Sequence, residues 1–241
     1  MPRRPRLQLC GLPLHIVQRG NNRAPCFFTE EDYRFYRHWL GLLALKHRCA
    51  IHACVLMTNH VHLLLTPEQP EGASVLMQAP GRRYVQYVNR FYKRSGTLWE
   101  GRFKASRVNA EEYLLKCYRY IELNPGRAGM VGHPREYPWS SYRHHAMQSH
   151  DEMVRDHPLY LALDGDATRR VQAYEALFRT ELDEEAIGEI RAATQRGQIL
   201  GSDRFRNEIE SALGERRVPG KSGRPKRGRG GLDGEQGELG F

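Results

Sequence analysis

Apolar and polar positions alternate from Leu14 to Arg19 and stop at Gly20-Asn21-Asn22, which predicts a short strand closed by a turn. The period then changes. Thr29 is suited to cap a helix, and Glu30, Glu31 and Asp32 fill a first turn where acidic side chains complement the helix dipole. Tyr33, Tyr36, Trp39, Leu40, Leu43 and Ala44 then recur at helical spacing. Two apolar runs, residues 49–57 and 60–65, are separated only by Thr58-Asn59, predicting an antiparallel hairpin that Pro67 closes. Residues 74–94 return to a helical period, with Pro80-Gly81 expected to break or restart the helix. Residues 104–108 predict a last short strand, and 110–123 a helix ending at Asn124-Pro125-Gly126. The natural packing for this order is a layered α+β domain, an antiparallel sheet with helices on one face.

That domain spans residues 1–148, with the stretch from Tyr137 to Tyr142 turning into its final short helix. Residues 149–215 read as a helical module with helices at 168–180, 183–195 and 202–213. Residues 216–241 are rich in Gly, Pro, Lys and Arg and offer no apolar face to bury, so a disordered basic tail is expected.

Composition narrows the function classes. The longest apolar runs are far too short to cross a bilayer, so no membrane partner is expected. The basic N-terminus is followed by no signal-peptide core. Five cysteines without a Cys-x-x-Cys pair argue for reduced thiols in a cytoplasm rather than a disulfide frame or zinc ribbon. The net charge is +9, unevenly spread. Residues 1–150 carry 22 Lys and Arg against 10 Asp and Glu, residues 151–215 carry 8 against 15, and the tail 7 against 3. A polyanion should therefore meet the first block and the tail.

Candidate chemistry sits in two pairs. On a strand, residues i and i+2 share a face, so His60 and His62 project together and can hold a divalent cation. On a helix, i and i+4 share a face, so Tyr120 and Asn124 project together. If the helix packs beside the strand, two imidazoles and an amide oxygen can ligate a cation that polarises a phosphodiester. Tyr120 can then attack phosphorus. Tyr113, Tyr118, Tyr84, Tyr87 and Tyr92 lack such a pairing, and Glu122 reads as part of a solvated face.

Thr58-Asn59-His60-Val61-His62-Leu63, Gly96-Thr97-Leu98-Trp99-Glu100-Gly101-Arg102-Phe103-Lys104 and Tyr120-Ile121-Glu122-Leu123-Asn124-Pro125, in that order, resemble the REP-associated tyrosine transposases. These belong to the single-tyrosine HUH transposases (insertion-sequence-200-like). Arg19 to Arg23 and the stretch from Tyr137 to Tyr142 fit the same group, so the likeness spans about residues 7–145. The resemblance implies a ferredoxin-like HUH domain with Mg²⁺ or Mn²⁺ that nicks and rejoins single-stranded or hairpin DNA at palindromic repeats. On this pattern Tyr120 is the nucleophile, leaving a 5′-phosphotyrosine and a free 3′-hydroxyl. His60 and His62 are metal ligands, with Asn124 the third where relatives often carry Gln. The REP-associated group points to a monomer, simpler single-tyrosine transposases to a dimer.

Around this site, cations interleave with aromatics from Arg82 to Arg94, as a DNA-binding helix requires: cations track phosphates and rings stack on unpaired bases. Arg82, Arg83, Arg90, Lys93 and Arg94 are the candidate contacts, joined by Arg102, Lys104 and Arg107 beside the last strand. Arg224, Lys226 and Arg227 sit in a degenerate AT-hook that doubles as a plain cationic tail. The alternative to an enzyme is a catalytically silent hairpin-binding regulator derived from a transposase.

Overall fold

A computed structural model of the chain describes residues 9–213; the expected basic tail, with Arg224, Lys226 and Arg227, lies outside the described residues. Strand β1 (Leu14–Arg19) leads through a tight turn to helix α1 (Glu30–Lys46). The buried Asp32 carboxylate starts that helix by accepting from the N–H groups of Phe28 (2.8 Å) and Thr29 (3.0 Å). Strands β2 (Cys49–Met57) and β3 (His60–Pro67) form the expected hairpin, with Met57 opposite His60 across a two-residue loop. Helix α2 (Gly72–Phe91), strand β4 (Lys104–Val108) and helix α3 (Ala110–Glu122) complete the unit. The sheet order β2-β3-β1-β4 is that of a ferredoxin-like fold, and its pairings are antiparallel.

Three expectations need correction. Helix α2 runs unbroken through Pro80. Ala73, Leu76, Met77, Pro80, Tyr84 and Val88 form one buried stripe along it, and packing that stripe outweighs the roughly 3 kcal/mol that an internal proline costs. The helices cover both faces of the sheet rather than one. Ile16, Ile51, Leu63 and Leu65 pack with α1 and α2, while Val55, Leu64 and Val108 pack with α3. The two strands of the hairpin are accordingly buried on both sides, which is why they read as continuous apolar runs.

The third correction concerns the helical module. After the short helices α4 (Asn124–Arg127), α5 (Tyr142–Met147) and α6 (Pro158–Leu161) come helices α7 (Ala167–Ala176), α8 (Glu184–Arg196) and α9 (Asp203–Ala212), but also a two-residue strand, β5 (Ile199–Leu200), which extends the sheet parallel to β4. Tyr174, Ile187, Ile190 and Leu200 share one core with Val55, Leu114 and Ile121. Side chains from both sides of residue 148 thus pack in one cluster, and α8 lies against the site face of the sheet.

Candidate active site

The register of the sheet decides which side chains meet. His62 lies opposite Val17, and His60 opposite Arg19; Val17 in turn lies opposite Lys104. His15, Val17, Arg19, His60, His62, Lys104 and Ser106 thus share the face on which α3 packs. Arg107, offset by one position, is turned to the other face and is buried.

The turn after β1 fixes the rim. A Cβ on Gly20 would lie 2.2 Å from the Ala24 carbonyl oxygen, so only glycine lets the chain fold back so closely. Asn22 and Arg23 follow in the left-handed region, at φ 52° and 59°. The Asn59 amide ties this turn to the hairpin loop by donating to the Arg23 carbonyl (3.0 Å).

A cavity of about 380 Å³ opens on this face, lined by His15, His60, His62, Tyr120 and Asn124 together with Arg19, Arg23, Arg102, Lys104, Arg191 and the single carboxylate Glu100. All four residues proposed for metal and nucleophile chemistry are brought together. The imidazoles of His60 and His62 meet edge to face at 4.9 Å between centroids, and Tyr120 meets His62 edge to face at 5.7 Å. Tyr120 is 5% exposed. The Arg127 guanidinium lies 4.5 Å from the Tyr120 ring centroid and donates to the Tyr120 backbone carbonyl, holding the ring from behind.

Hydrogen bonding sets the direction of each candidate ligand. Asn59 uses its amide N–H on Arg23, so its oxygen accepts from His60 Nδ1–H at 2.6 Å, leaving a lone pair on His60 Nε2. Asn124 donates its amide N–H to the carbonyls of Tyr120 (2.9 Å) and Ile121 (3.3 Å), which leaves its oxygen as the outward atom. It is therefore a helix cap and a candidate ligand at once. Two imidazole nitrogens and an amide oxygen suit a divalent cation that keeps positions open for substrate oxygens.

A second cluster of metal-binding residue types is otherwise employed. The ligand atoms of His144, His145 and Asp156 lie within 4.8 Å of one another. His144 Nδ1, however, accepts from the Asp151 N–H (3.1 Å), so its Nε2 carries the proton and donates to Asp156 (3.0 Å). No lone pair is left on that ring for a cation.

The other tyrosines are committed elsewhere. The hydroxyl of Tyr84 donates to the Cys26 carbonyl (2.6 Å), Tyr92 to Asp32 (2.8 Å) and Tyr113 to Glu189 (2.6 Å), while Tyr118 is fully buried. Among the basic candidates, Arg102 and Lys104 reach the cavity. Arg82 lines a neighbouring groove shared with Arg102. Arg83 stacks over Trp39 at 4.1 Å and Arg94 over Phe28 at 5.9 Å, while Arg90 and Lys93 are exposed at the end of α2.

Several site residues were not visible in the sequence. His15 lies nearly parallel to His62, with 5.2 Å between ring centroids, and Arg191, Thr194 and Gln195 reach the cavity from α8. His15 is in phase with Val17 and Arg19, but only the strand pairing shows that this phase faces His62. Arg127 is seven positions after Tyr120, two helical turns on, which was the one signal available. For Thr194 there was none.

Burial pushes His15 down to about 3, and His52 and His60 down to about 4, because a buried imidazolium loses its hydration. Folding thus lowers each below the ordinary value of about 6.5. Between roughly pH 6.5 and 4 the unfolded chain binds more protons, so stability falls as pH falls through that window. Thermal unfolding of the metal-free protein should show Tm dropping steadily from pH 7 to 4.5; a flat profile would contradict the burial of these rings.

Residues 9–124 match the family model described as Transposase IS200 like, a segment that opens before β1 and closes on Asn124. That segment, about half of the chain, is similar to an IS200-like transposase domain. Two solved structures are similar to the chain. One, a REP-associated tyrosine transposase bound to a REP hairpin, is 18% identical and covers 65% of this chain and 93% of its own, with a TM-score of 0.49. The other, a putative transposase from Deinococcus radiodurans R1, is 23% identical and covers 50% of this chain and 96% of its own, with a TM-score of 0.36. No curated protein matches the chain significantly. His60, His62, Tyr120 and Asn124 all fall inside the matched segment. No helix among the described residues is long and apolar enough to cross a membrane.

Proposed function

We propose that the protein is a metal-dependent transesterase of single-stranded DNA, acting on hairpin-forming palindromic repeats like the REP-associated transposases it resembles. The observation that carries this reading is the convergence of Tyr120 with His60, His62 and Asn124 in one cation-rimmed cavity. His60, His62 and the Asn124 oxygen would hold Mg²⁺ or Mn²⁺, whose contribution is to polarise the scissile phosphate and offset charge building on it. Arg19, Arg23, Arg102, Lys104 and Arg191 supply a positive rim for the backbone of the strand. The Tyr120 hydroxyl oxygen forms the new bond to phosphorus and loses its proton. The departing 3′-oxygen leaves as a hydroxyl, and the 5′-phosphate stays on the protein. Attack by a second 3′-hydroxyl reverses the step and joins strands.

A labelled hairpin oligonucleotide with single-stranded flanks, incubated with the protein and Mn²⁺ or Mg²⁺, should yield a covalent protein–DNA adduct. The paired substitution His60→Ala, His62→Ala should abolish both the adduct and Mn²⁺ binding by calorimetry while leaving salt-dependent DNA binding in place. Hairpin binding without an adduct under either cation would instead establish the catalytically silent regulator.

A further inference from the structure

Helix α8 lies outside the segment that matches the transposase family, yet it reaches the sheet at one polar point. Thr194 Oγ1 lies 2.8 Å from the Ile190 carbonyl oxygen, 2.8 Å from His15 Nδ1 and 3.1 Å from Ser106 Oγ. His15 Nε2 lies 2.9 Å from His62 Nδ1. Every side chain in this chain of contacts is buried, so water does not compete for the bonds.

The direction of each bond follows from its far end. A carbonyl oxygen only accepts, so the Thr194 hydroxyl spends its one proton on Ile190 and offers lone pairs to its other neighbours. His15 must then carry its proton on Nδ1 and donate it to Thr194. A buried neutral imidazole protonated on Nδ1 has a lone pair on Nε2, which accepts from His62 Nδ1–H. His62 is thereby left with its lone pair on Nε2, the same ligand atom that Asn59 secures on His60. A carbonyl on α8 thus sets which nitrogen of a sheet histidine can bind a cation, through two intervening side chains.

We propose that Thr194 and His15 form a positioning relay that locks His62 in its Nδ1–H tautomer, making α8 a working part of the metal centre. The relay rests on the reading of His62 as a ligand, but the tautomer is a property of the metal-free protein. Outer hydrogen bonds of this kind alter metal affinity by about 10–100-fold when removed. Replacing Thr194 by the isosteric Val removes the hydroxyl oxygen that accepts from His15 Nδ1–H. His15 then moves its proton to Nε2 and donates to His62 Nδ1, placing the His62 proton on Nε2, where a cation would bind.

Long-range ¹H–¹⁵N correlation spectra of ¹⁵N-histidine-labelled, metal-free protein read this directly, with His62 assigned by His62→Ala. The wild type and Thr194→Ser should show Nδ1–H, and Thr194→Val a majority of Nε2–H. Calorimetric titration with Mn²⁺ alone should show affinity falling about 10–100-fold in Thr194→Val and recovering in Thr194→Ser. An Nε2–H tautomer in the wild type, or a Thr194→Val protein that folds with unchanged tautomer and affinity, overturns the relay. If the wild type shows Nδ1–H that Thr194→Val shifts, yet binds no Mn²⁺, the relay stands as the tautomer lock and the metal-dependent reading of the site fails instead. If Thr194→Val does not fold, the same readings are made on His15→Phe, which keeps a ring but offers no acceptor to His62 Nδ1–H, so the His62 proton should again shift to Nε2.

Discussion

Replacing Tyr120 by Phe should reduce covalent adduct formation on a hairpin substrate by at least about 10⁴-fold, the scale on which an enzyme loses rate with its nucleophile. The substitution isolates chemistry from structure. Phe keeps the ring that meets His15 at 5.6 Å and His62 at 5.7 Å, and it keeps the aromatic face under Arg127. The Arg127 bond is to the backbone carbonyl, which the substitution leaves in place. Only the hydroxyl oxygen that would bond to phosphorus is removed. Hairpin affinity, measured by fluorescence anisotropy across a salt series, should therefore stay within about twofold, since phosphate contacts by the cationic rim dominate it. The adduct should vanish in the same samples. An adduct that persists in Tyr120→Phe would remove Tyr120 from the mechanism. Tyr84, Tyr92 and Tyr113 could then take over only by unmaking a bond each already has, to Cys26, Asp32 and Glu189 respectively.

The parts of this site that local periodicity encodes were legible in the sequence. A two-residue period put His60 and His62 on one face, a four-residue period put Tyr120 and Asn124 on another, and the order of elements predicted the sheet they share. What periodicity cannot encode is the pairing of distant segments. His15 became a site residue only through its register with β3, and Thr194 only because α8 folds back 179 positions later to meet it. Arg107 lies on the opposite face from Lys104 for the same reason in reverse, since a one-residue phase in β4 decides which face a side chain takes. The acidic charge of residues 151–215 argued against a nucleic-acid surface there. That average concealed Arg191 and Gln195, which α8 delivers to the cavity from a chain segment that is otherwise acidic.

Glu122 was the clearest misreading, and it yields the second large effect. A charged residue near the end of a helix reads as solvated, but this carboxylate is fully buried. Its Oε1 accepts from Ser141 (2.6 Å) and from His145 (2.8 Å), and its Oε2 accepts from Tyr174 (2.6 Å). Ser141, His145 and Tyr174 are all buried as well. Glu122→Ala would leave the His145 and Tyr174 donors in the interior without that acceptor, leave Ser141 only its longer contact to the Cys54 carbonyl (3.3 Å), and open a cavity where the carboxylate stood. Each orphaned donor costs on the order of 1–3 kcal/mol, and breaking a buried charged contact costs about 3–5 kcal/mol in total. For a chain of this size that is a fall in Tm of roughly 10 °C. Glu122→Gln keeps the shape and one oxygen acceptor but turns an N–H towards a former donor, so its loss should be about half as large. The hub sits two residues past Tyr120 and ties α3 to segments from residue 141 to 174, so the helix that carries Tyr120 is anchored by the chain that follows the matched segment. Thermal unfolding of the two variants measures this. A Glu122→Ala protein that melts within about 2 °C of wild type would show that the three donors find other acceptors, and that α3 is held by its apolar face alone.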